Sequence, residues 1–436
     1  MLRRTSKEPR LGRPIELPLQ AALPPCETLG PEFARVRALS ATLTEGLDAE
    51  DQALQSMPDA SPTKWHLAHT SWFFETLLLR PHAAGYHAHD ARYALLFNSY
   101  YEALGPRHPR PQRGMLSRPT LAEVWAYRRH VDAAVQHFIE CASPAAWSAA
   151  APILALGLQH EQQHQELMLT DLLHAFSLNP LAPAWRGGVV PASGTAEPLR
   201  WHGLDPGLVE IGHDGAGFAF DNELPRHRVF VAPFELANRL VSNADYRDFI
   251  DDGGYRRPAL WLSDGWALAQ AQGWHAPPYW QPDDDGGWRQ FTLHGLQAID
   301  PAAPVCHLSA YEAAAYAAWA GARLPTEFEW ETAARHSSTD ASMTRYQLDR
   351  MLPQPSPGLL GEAWQWTSSA YAPYPGFRPL AGPAAEYNGK FMVNQLVLRG
   401  GSCATPPGHA RVSYRNFFPA AARWQFSGLR LARDAR

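Results

Sequence analysis

The chain predicts an α + (α+β) architecture, a bundle of amphipathic helices followed by a loop-rich domain of short strands and few helices. Three observations carry this. Apolar residues recur at helical spacing up to about Phe176, and a Pro/Gly-rich stretch interrupts the chain at residues 181–200. From Trp201 the texture turns to short strand-like runs and glycine and proline turns, with 11 of the 16 tryptophans. The 436 residues exceed what one ordinary core holds, so two domains are expected, over 1–180 and 201–436.

In the first half, four segments each set apolar side chains on one helical face and predict helices. They are PEFARVRALSATLTEGL, the stretch SPTKWHLAHTSWFFETLLL, LAEVWAYRRHVDAAVQHFIECA and PILALGLQHEQQHQELMLTDLLHAF. Between the second and third lies FNSYYEALGPRHPRPQRGMLSRPT, a Pro/Arg-rich connection whose length in an ordered loop points to function. The run NPLAPAWRGGVVPASGTAEPL has the composition of a linker. In the second half LVEIG, HRVFVAPFEL and LVLRGGS read as strands, only AYEAAAYAAWAGARLPTEFEWETAARH reads as firmly helical, and Asp283 to Asp285 read as a solvated turn.

A formal charge of −5 with scattered basic residues gives no electrostatic case for nucleic acid or an anionic membrane, so small-molecule ligands are expected. Cys26, Cys141, Cys306 and Cys403 are far apart and indicate neither a disulfide framework nor a zinc ribbon. The opening MLRRTSKEPRLGRPIELPLQ lacks the apolar core of a signal peptide, and no stretch reaches the ~18 apolar residues of a membrane span. A cytoplasmic monomer is the expectation. No phosphate loop or dinucleotide fingerprint is present, because RGGS and DDGGY lack the spacing and the following helix.

The chemistry-bearing feature is LQHEQQHQELMLTDLL, which puts His160 and His164 four residues apart on one helical face. Histidine is abundant, 11 of 19 falling before residue 180, so spacing alone persuades little. The flanking Leu158, Leu167, Met168 and Leu172 would carry that face toward a bundle interior, where neutral imidazoles need partners and a metal is a common one. His69 on the second helix would complete three neutral ligands and leave positions open for chemistry.

Nine segments resemble the hercynine oxygenases, the sulfoxide synthases of ergothioneine biosynthesis, and the match spans nearly the whole chain. They are WHLAHTSWFFE, FNSYYEALGPRHPRPQRG, HEQQHQE, FDNELPRHRVFV, LWLSDGW, RLPTEFEWE, WQWTSSAYAPYPGFRP, EYNGKFMVNQLVLRGGSCAT and YRNFFP, in the family order. The resemblance implies a DinB-like four-helix metal-binding domain (1–180), a linker (181–200) and a domain similar to formylglycine-generating enzyme, with a C-type-lectin-like fold (201–436). It implies Fe(II) held by His69, His160 and His164, with His66 bracing the helix. It further implies O2-dependent carbon–sulfur bond formation between hercynine, a trimethylhistidine, and a thiol, with oxidation of the sulfur to a sulfoxide.

Gln163 falls where the family reaches the hercynine imidazole, and Asn416 where it meets the substrate carboxylate. An aromatic after the Asn-aromatic pair (Asn416, Phe417, Phe418) and the loop pair Tyr100 and Tyr101 place the chain in the branch that uses free L-cysteine rather than γ-glutamylcysteine. Arg110, or its neighbours Arg107 and Arg113, would hold the cysteine carboxylate as a guanidinium fork. Tyr100 and Tyr101 would donate to reduced oxygen. Phe417 and Phe418 are expected beside the substrates, since a trimethylammonium is best met by aromatic faces.

The alternatives are a selenium-handling relative joining hercynine to a selenosugar, a metal-dependent thiol transferase, and a zinc peptidase. HEQQH satisfies the peptidase pattern HExxH with Glu161 as base, but QELMLT follows where its extended form fails. Cys403 is expected to be a buried small residue without a cysteine partner, so formylglycine-generating activity is not expected.

Overall fold

The computed structural model describes residues 26–337 and 346–435; the stretch on which the signal-peptide expectation rests, residues 1–20, lies outside them. The first half holds four principal helices, α1 (Cys26–Thr42), α2 (Thr63–Phe73), α3 (Leu121–Cys141) and α4 (Pro144–Ser177). Thr120 and Glu123 open α3 with reciprocal side-chain and backbone hydrogen bonds. Helix α4 starts at Pro144 and not at Pro152 as the sequence suggests. Ser143 caps it by accepting from the Ala146 N–H, and Pro144 takes a first-turn position that needs no donor. Pro152 is simply carried inside the helix.

Helix α2 does not stop at Phe73 but widens into a π turn over Phe74–Leu79. There the Phe74 ring lies against Gly157 of α4, where a Cβ would come 2.4 Å from a ring carbon. Only glycine lets the two helices approach this closely, and that approach brings the histidines of α2 and α4 face to face. Behind α4, the buried Glu161 carboxylate accepts from Arg37 (2.8 Å), Arg128 (2.5 Å) and Ser40 (2.6 Å), tying α4 to α1 and α3.

The second half is built from four small sheets. Strands β1 (Trp201–Leu204), β4 (Phe234–Ala237) and β12 (Ala432–Asp434) form one; β2 (Gly207–Ile211) and β3 (His227–Val231) form another. The run read as one strand, HRVFVAPFEL, divides at Pro233, which cannot donate to a ladder, so β3 and β4 belong to different sheets. Two short helices escaped the sequence reading, α5 (Asn243–Asp251) and α6 (Ser263–Gln272). Next comes the sheet of β5 (Trp280–Pro282), β6 (Trp288–Thr292) and β7 (Gly295–Ala298). The long helical run divides into α7 (Ala310–Trp319) and α8 (Glu327–His336), broken after Gly321 at φ +65° and restarted by a Thr326–Glu329 capping pair. The last sheet is β10–β9–β8–β11, from β8 (Trp364–Ala370), β9 (Leu396–Arg399), β10 (Asn416–Phe418) and β11 (Ser427–Gly428).

Residues 181–200 hold no helix or strand, as their composition suggests, yet they are fastened. Trp185 is buried, its backbone N–H donates to Leu293 at 2.9 Å and its indole N–H to the Glu45 carbonyl at 3.1 Å. Among the described residues no helix is long and apolar enough to cross a membrane.

Two changes test this packing. Glu161→Gln leaves two buried guanidiniums short of charge and is expected to cost about 3–5 kcal/mol in denaturant unfolding. Gly157→Ala forces Phe74 and the π turn apart and is expected to cost roughly 1–3 kcal/mol by the same measurement.

Candidate metal centre

His69 projects from α2, and His160 and His164 from successive turns of α4. One nitrogen from each lies within 4.8 Å of the other two, the spacing a single ion can bridge. His69 and His160 are enclosed, while His164 is 9% exposed where the site opens. Burial, and then the proximity of the other imidazoles, holds His69 and His164 well below the ordinary histidine range. Burial likewise takes His160 down to about 3. All three rings are therefore neutral at ordinary pH, the state a metal ligand needs.

The residues fit a metal on their own geometry. The His69 Nδ1–H donates to the Phe97 carbonyl at 2.6 Å, so Nε2 carries the lone pair, and that nitrogen faces His160 Nε2 at 3.2 Å. A hydrogen bond from a His160 Nε2–H, or a cation held between the two nitrogens, would satisfy that contact. Neutral nitrogen donors suit a first-row transition ion rather than calcium or magnesium.

The sequence assigns His66 to bracing the helix; its contacts tie α2 to α4 and bring it against His164. Its Nδ1 is 2.8 Å from His164 Nδ1 and its Nε2 is 3.1 Å from the Asp171 carboxylate. Asp171 was not singled out in the sequence, although it lies on the same stripe of α4 as the two histidines.

His160 and His164 line a cleft of about 740 Å3 between the two halves of the chain. Gln163, Arg110, Arg107, Arg113, Asn416, Phe417, Phe418 and Tyr100 line it too. Gln163 is held from the far side: its amide nitrogen donates to Tyr414 at 2.7 Å and its carbonyl accepts from the Tyr387 hydroxyl. Neither tyrosine was singled out, though both stand inside quoted motifs. Of the arginines, Arg107 pairs with Glu102 at 2.8 Å and Arg110 donates to the Asp59 carbonyl. Arg113 is buried over the Trp65 ring at 3.4 Å with only the hydroxyls of Ser61 and Ser99 as hydrogen-bond partners among the described residues. Burial pushes its guanidinium down to about 8, so an arriving anion would be well received.

The tyrosine pair divides. Tyr100 lines the cleft, with Lys390 over its ring at 4.9 Å. Tyr101 stands behind it, fully buried and stacked on Tyr100 with ring centroids 4.6 Å apart, and its hydroxyl has no partner among the described residues. On β10, Phe417 stacks on Tyr371 at 4.0 Å and Phe418 meets Trp424 edge-on at 6.3 Å.

Glu161, the base a peptidase would need, points away from the histidine cluster toward Arg37 and Arg128, and these outweigh the effect of burial and hold it at about 2. Cys403 is buried as expected, but it has a neighbour: burial first, and Cys306 second, raise its thiol well above the ordinary range. Both thiols are free.

Residues 32–168 match the DinB superfamily, and residues 202–357 and 356–435 match the sulfatase-modifying factor enzyme 1-like domain. The two halves are thus a DinB-like helical domain and a formylglycine-generating-enzyme-like domain. The chain is 34% identical to hercynine oxygenase from Mycolicibacterium smegmatis over 94% of its own length and 99% of the relative's. It is 32% identical to hercynine oxygenase from Mycobacterium tuberculosis, with the same coverage of 94% and 99%. Ergothioneine biosynthesis protein 1 from Schizosaccharomyces pombe is 28% identical over 50% of this chain and 28% of that protein. With relatives this similar end to end and both domain matches in place, the chain belongs to the hercynine oxygenase family.

Proposed function

We propose that the chain is an Fe(II)- and O2-dependent sulfoxide synthase that joins hercynine to L-cysteine. The observation that supports it most is the convergence of three imidazoles from two helices, two of which, His160 and His164, line a cleft that β10 also lines. Held by His69, His160 and His164, Fe(II) would supply Lewis acidity toward a thiolate and the electrons for O2 chemistry.

The chain's own residues would do the rest. Arg110 and Arg113 would take the cysteine carboxylate, and the guanidinium of Arg113, lacking any anionic partner among the described residues, gives that carboxylate the larger gain. Asn416 would meet the hercynine carboxylate and Gln163 its imidazole, while Phe417 and Phe418 would shield the trimethylammonium, which offers no N–H to bond. Burial raises the Tyr100 hydroxyl above the ordinary tyrosine range, so at neutral pH it keeps its proton and can donate it as negative charge develops on oxygen. Tyr101 would act by holding the Tyr100 ring in place.

Aerobic incubation of the Fe(II)-loaded protein with hercynine and either cysteine or γ-glutamylcysteine, read by mass spectrometry, is expected to give hercynylcysteine sulfoxide from cysteine and nothing without O2. Equal or better use of γ-glutamylcysteine would reject the cysteine assignment. Tyr100→Phe is expected to lower turnover about 10²-fold or more with metal binding unchanged, and Tyr101→Phe to lower it less. A Tyr100→Phe protein that makes sulfoxide at the parental rate would remove Tyr100 from the reaction.

A further inference from the structure

We propose that Asp171 and His66 are positioning residues that fix which nitrogen His164 offers to the metal, an inference that rests on the metal-centre reading above. With His66 neutral, the direction of each hydrogen bond follows from its partners. Asp171 Oδ2 accepts the backbone N–H of Ser61 at 2.8 Å and sits 3.1 Å from His66 Nε2. A carboxylate oxygen that already accepts can only accept again, so His66 carries its proton on Nε2. In the neutral ring Nδ1 is then a bare acceptor. It lies 2.8 Å from His164 Nδ1, and one proton must stand between the two nitrogens, so that proton belongs to His164. His164 is thereby left with its lone pair on Nε2.

The consequence is a matched pair of supports. The Phe97 carbonyl takes the Nδ1 proton of His69 and leaves Nε2 free; His66 does the same for His164. Metal-bound histidines commonly give their second N–H to a carboxylate or carbonyl, which orients the ring and raises its basicity. Here the carboxylate acts at one remove, through a second imidazole. All three side chains are buried, His66 at 3% and Asp171 at 6% exposure, so water does not compete for these bonds. The spacing is built in: Ser61 and His66 lie at the start of α2, and Asp171 lies two turns beyond His164 on α4, so the relay also locks the two ligand-bearing helices in register.

Cobalt(II) titrated into the purified full-length apoprotein and followed by its visible absorption reads the metal constant without turnover. His66→Phe is expected to weaken binding about 10–100-fold and to alter the absorption, and Asp171→Ala to weaken it less. His66→Gln, whose side-chain carbonyl can take the same N–H, is expected to recover most of the loss. A purely structural role would lower the thermal midpoint of the apoprotein and leave the cobalt constant alone. The relay is overturned if His66→Phe binds cobalt as the parent does, or if a normally folded His66→Gln binds no better than His66→Phe. A parent protein that binds cobalt through this relay yet makes no sulfoxide would defeat the proposed reaction and leave the relay standing.

Discussion

Everything in this molecule turns on a run of eight consecutive polar residues, Gln159 to Glu166, in the middle of α4, all of them buried except the half-buried Gln159 and Gln163. An unpaired buried polar group costs roughly 1–3 kcal/mol, so leaving this run unpaired would consume the whole of an ordinary stability of about 5–15 kcal/mol. Each residue has at least one partner, while His160 Nδ1 and the side-chain oxygens of Gln162 and Gln165 have none among the described residues. Gln159 faces His409 (2.7 Å), Gln162 donates to the Pro407 carbonyl (3.1 Å), and Gln165 donates to Val36 and Ser40 of α1 (2.8 and 2.9 Å). Glu166 accepts from Trp364, Ser402 and Thr405 at 2.5–2.8 Å.

Helical geometry sorts these partners into three faces. At about 100° per residue, His160, His164 and Asp171 fall within ~40° of one another and look toward α2. Glu161 and Gln165 look toward α1, and Gln159, Gln162, Gln163 and Glu166 look toward the second domain. The metal face is therefore held from both flanks: buried ion pairs fix α4 on one side, and a domain interface fixes it on the other. A rigid placement of imidazoles needs such support, since a ligand set loose by even an ångström loses its affinity and its chemistry.

That sorting explains what the sequence could and could not reveal. Whereas His69 was chosen over His66 by the family resemblance, the His160 and His164 pair was legible because i,i+4 spacing and apolar flanks are local signals. The helices of the first half were legible for the same reason, except where Pro152 imitated a start. The partners of the polar run were not legible, because they lie up to about 250 positions away and no local pattern links Gln163 to Tyr414 or Glu166 to Ser402. The partners of His66 were hidden for a related reason. Its meaning depends on Asp171, a residue 105 positions on that looks like an ordinary helix-surface aspartate until the two helices are packed. In the second domain, α5 and α6 were missed because they are short, with few buried residues to show a period.

The same arrangement would separate holding a metal from choosing the substrates. The imidazoles depend on α2 and α4, whereas Phe417 and Phe418 rest on Tyr371 and Trp424 inside the second domain, so β10 can change without disturbing the ligand set. Beyond the bonds of Gln159, Gln162 and Glu166, two further connections tie the halves together at the cleft. Gln163 stands one residue from His164, yet its side chain is bonded only to tyrosines of the other domain among the described residues. The loop carrying Tyr100 is seized in turn: Glu386 accepts the backbone N–H groups of Glu102 and Ala103 at 3.1 and 2.9 Å, and Lys390 donates to the Tyr100 carbonyl. A bundle lacking the second domain would keep its three histidines but lose the orientation of Gln163 and Tyr100, which makes domain docking, rather than metal binding, the step that completes the cleft.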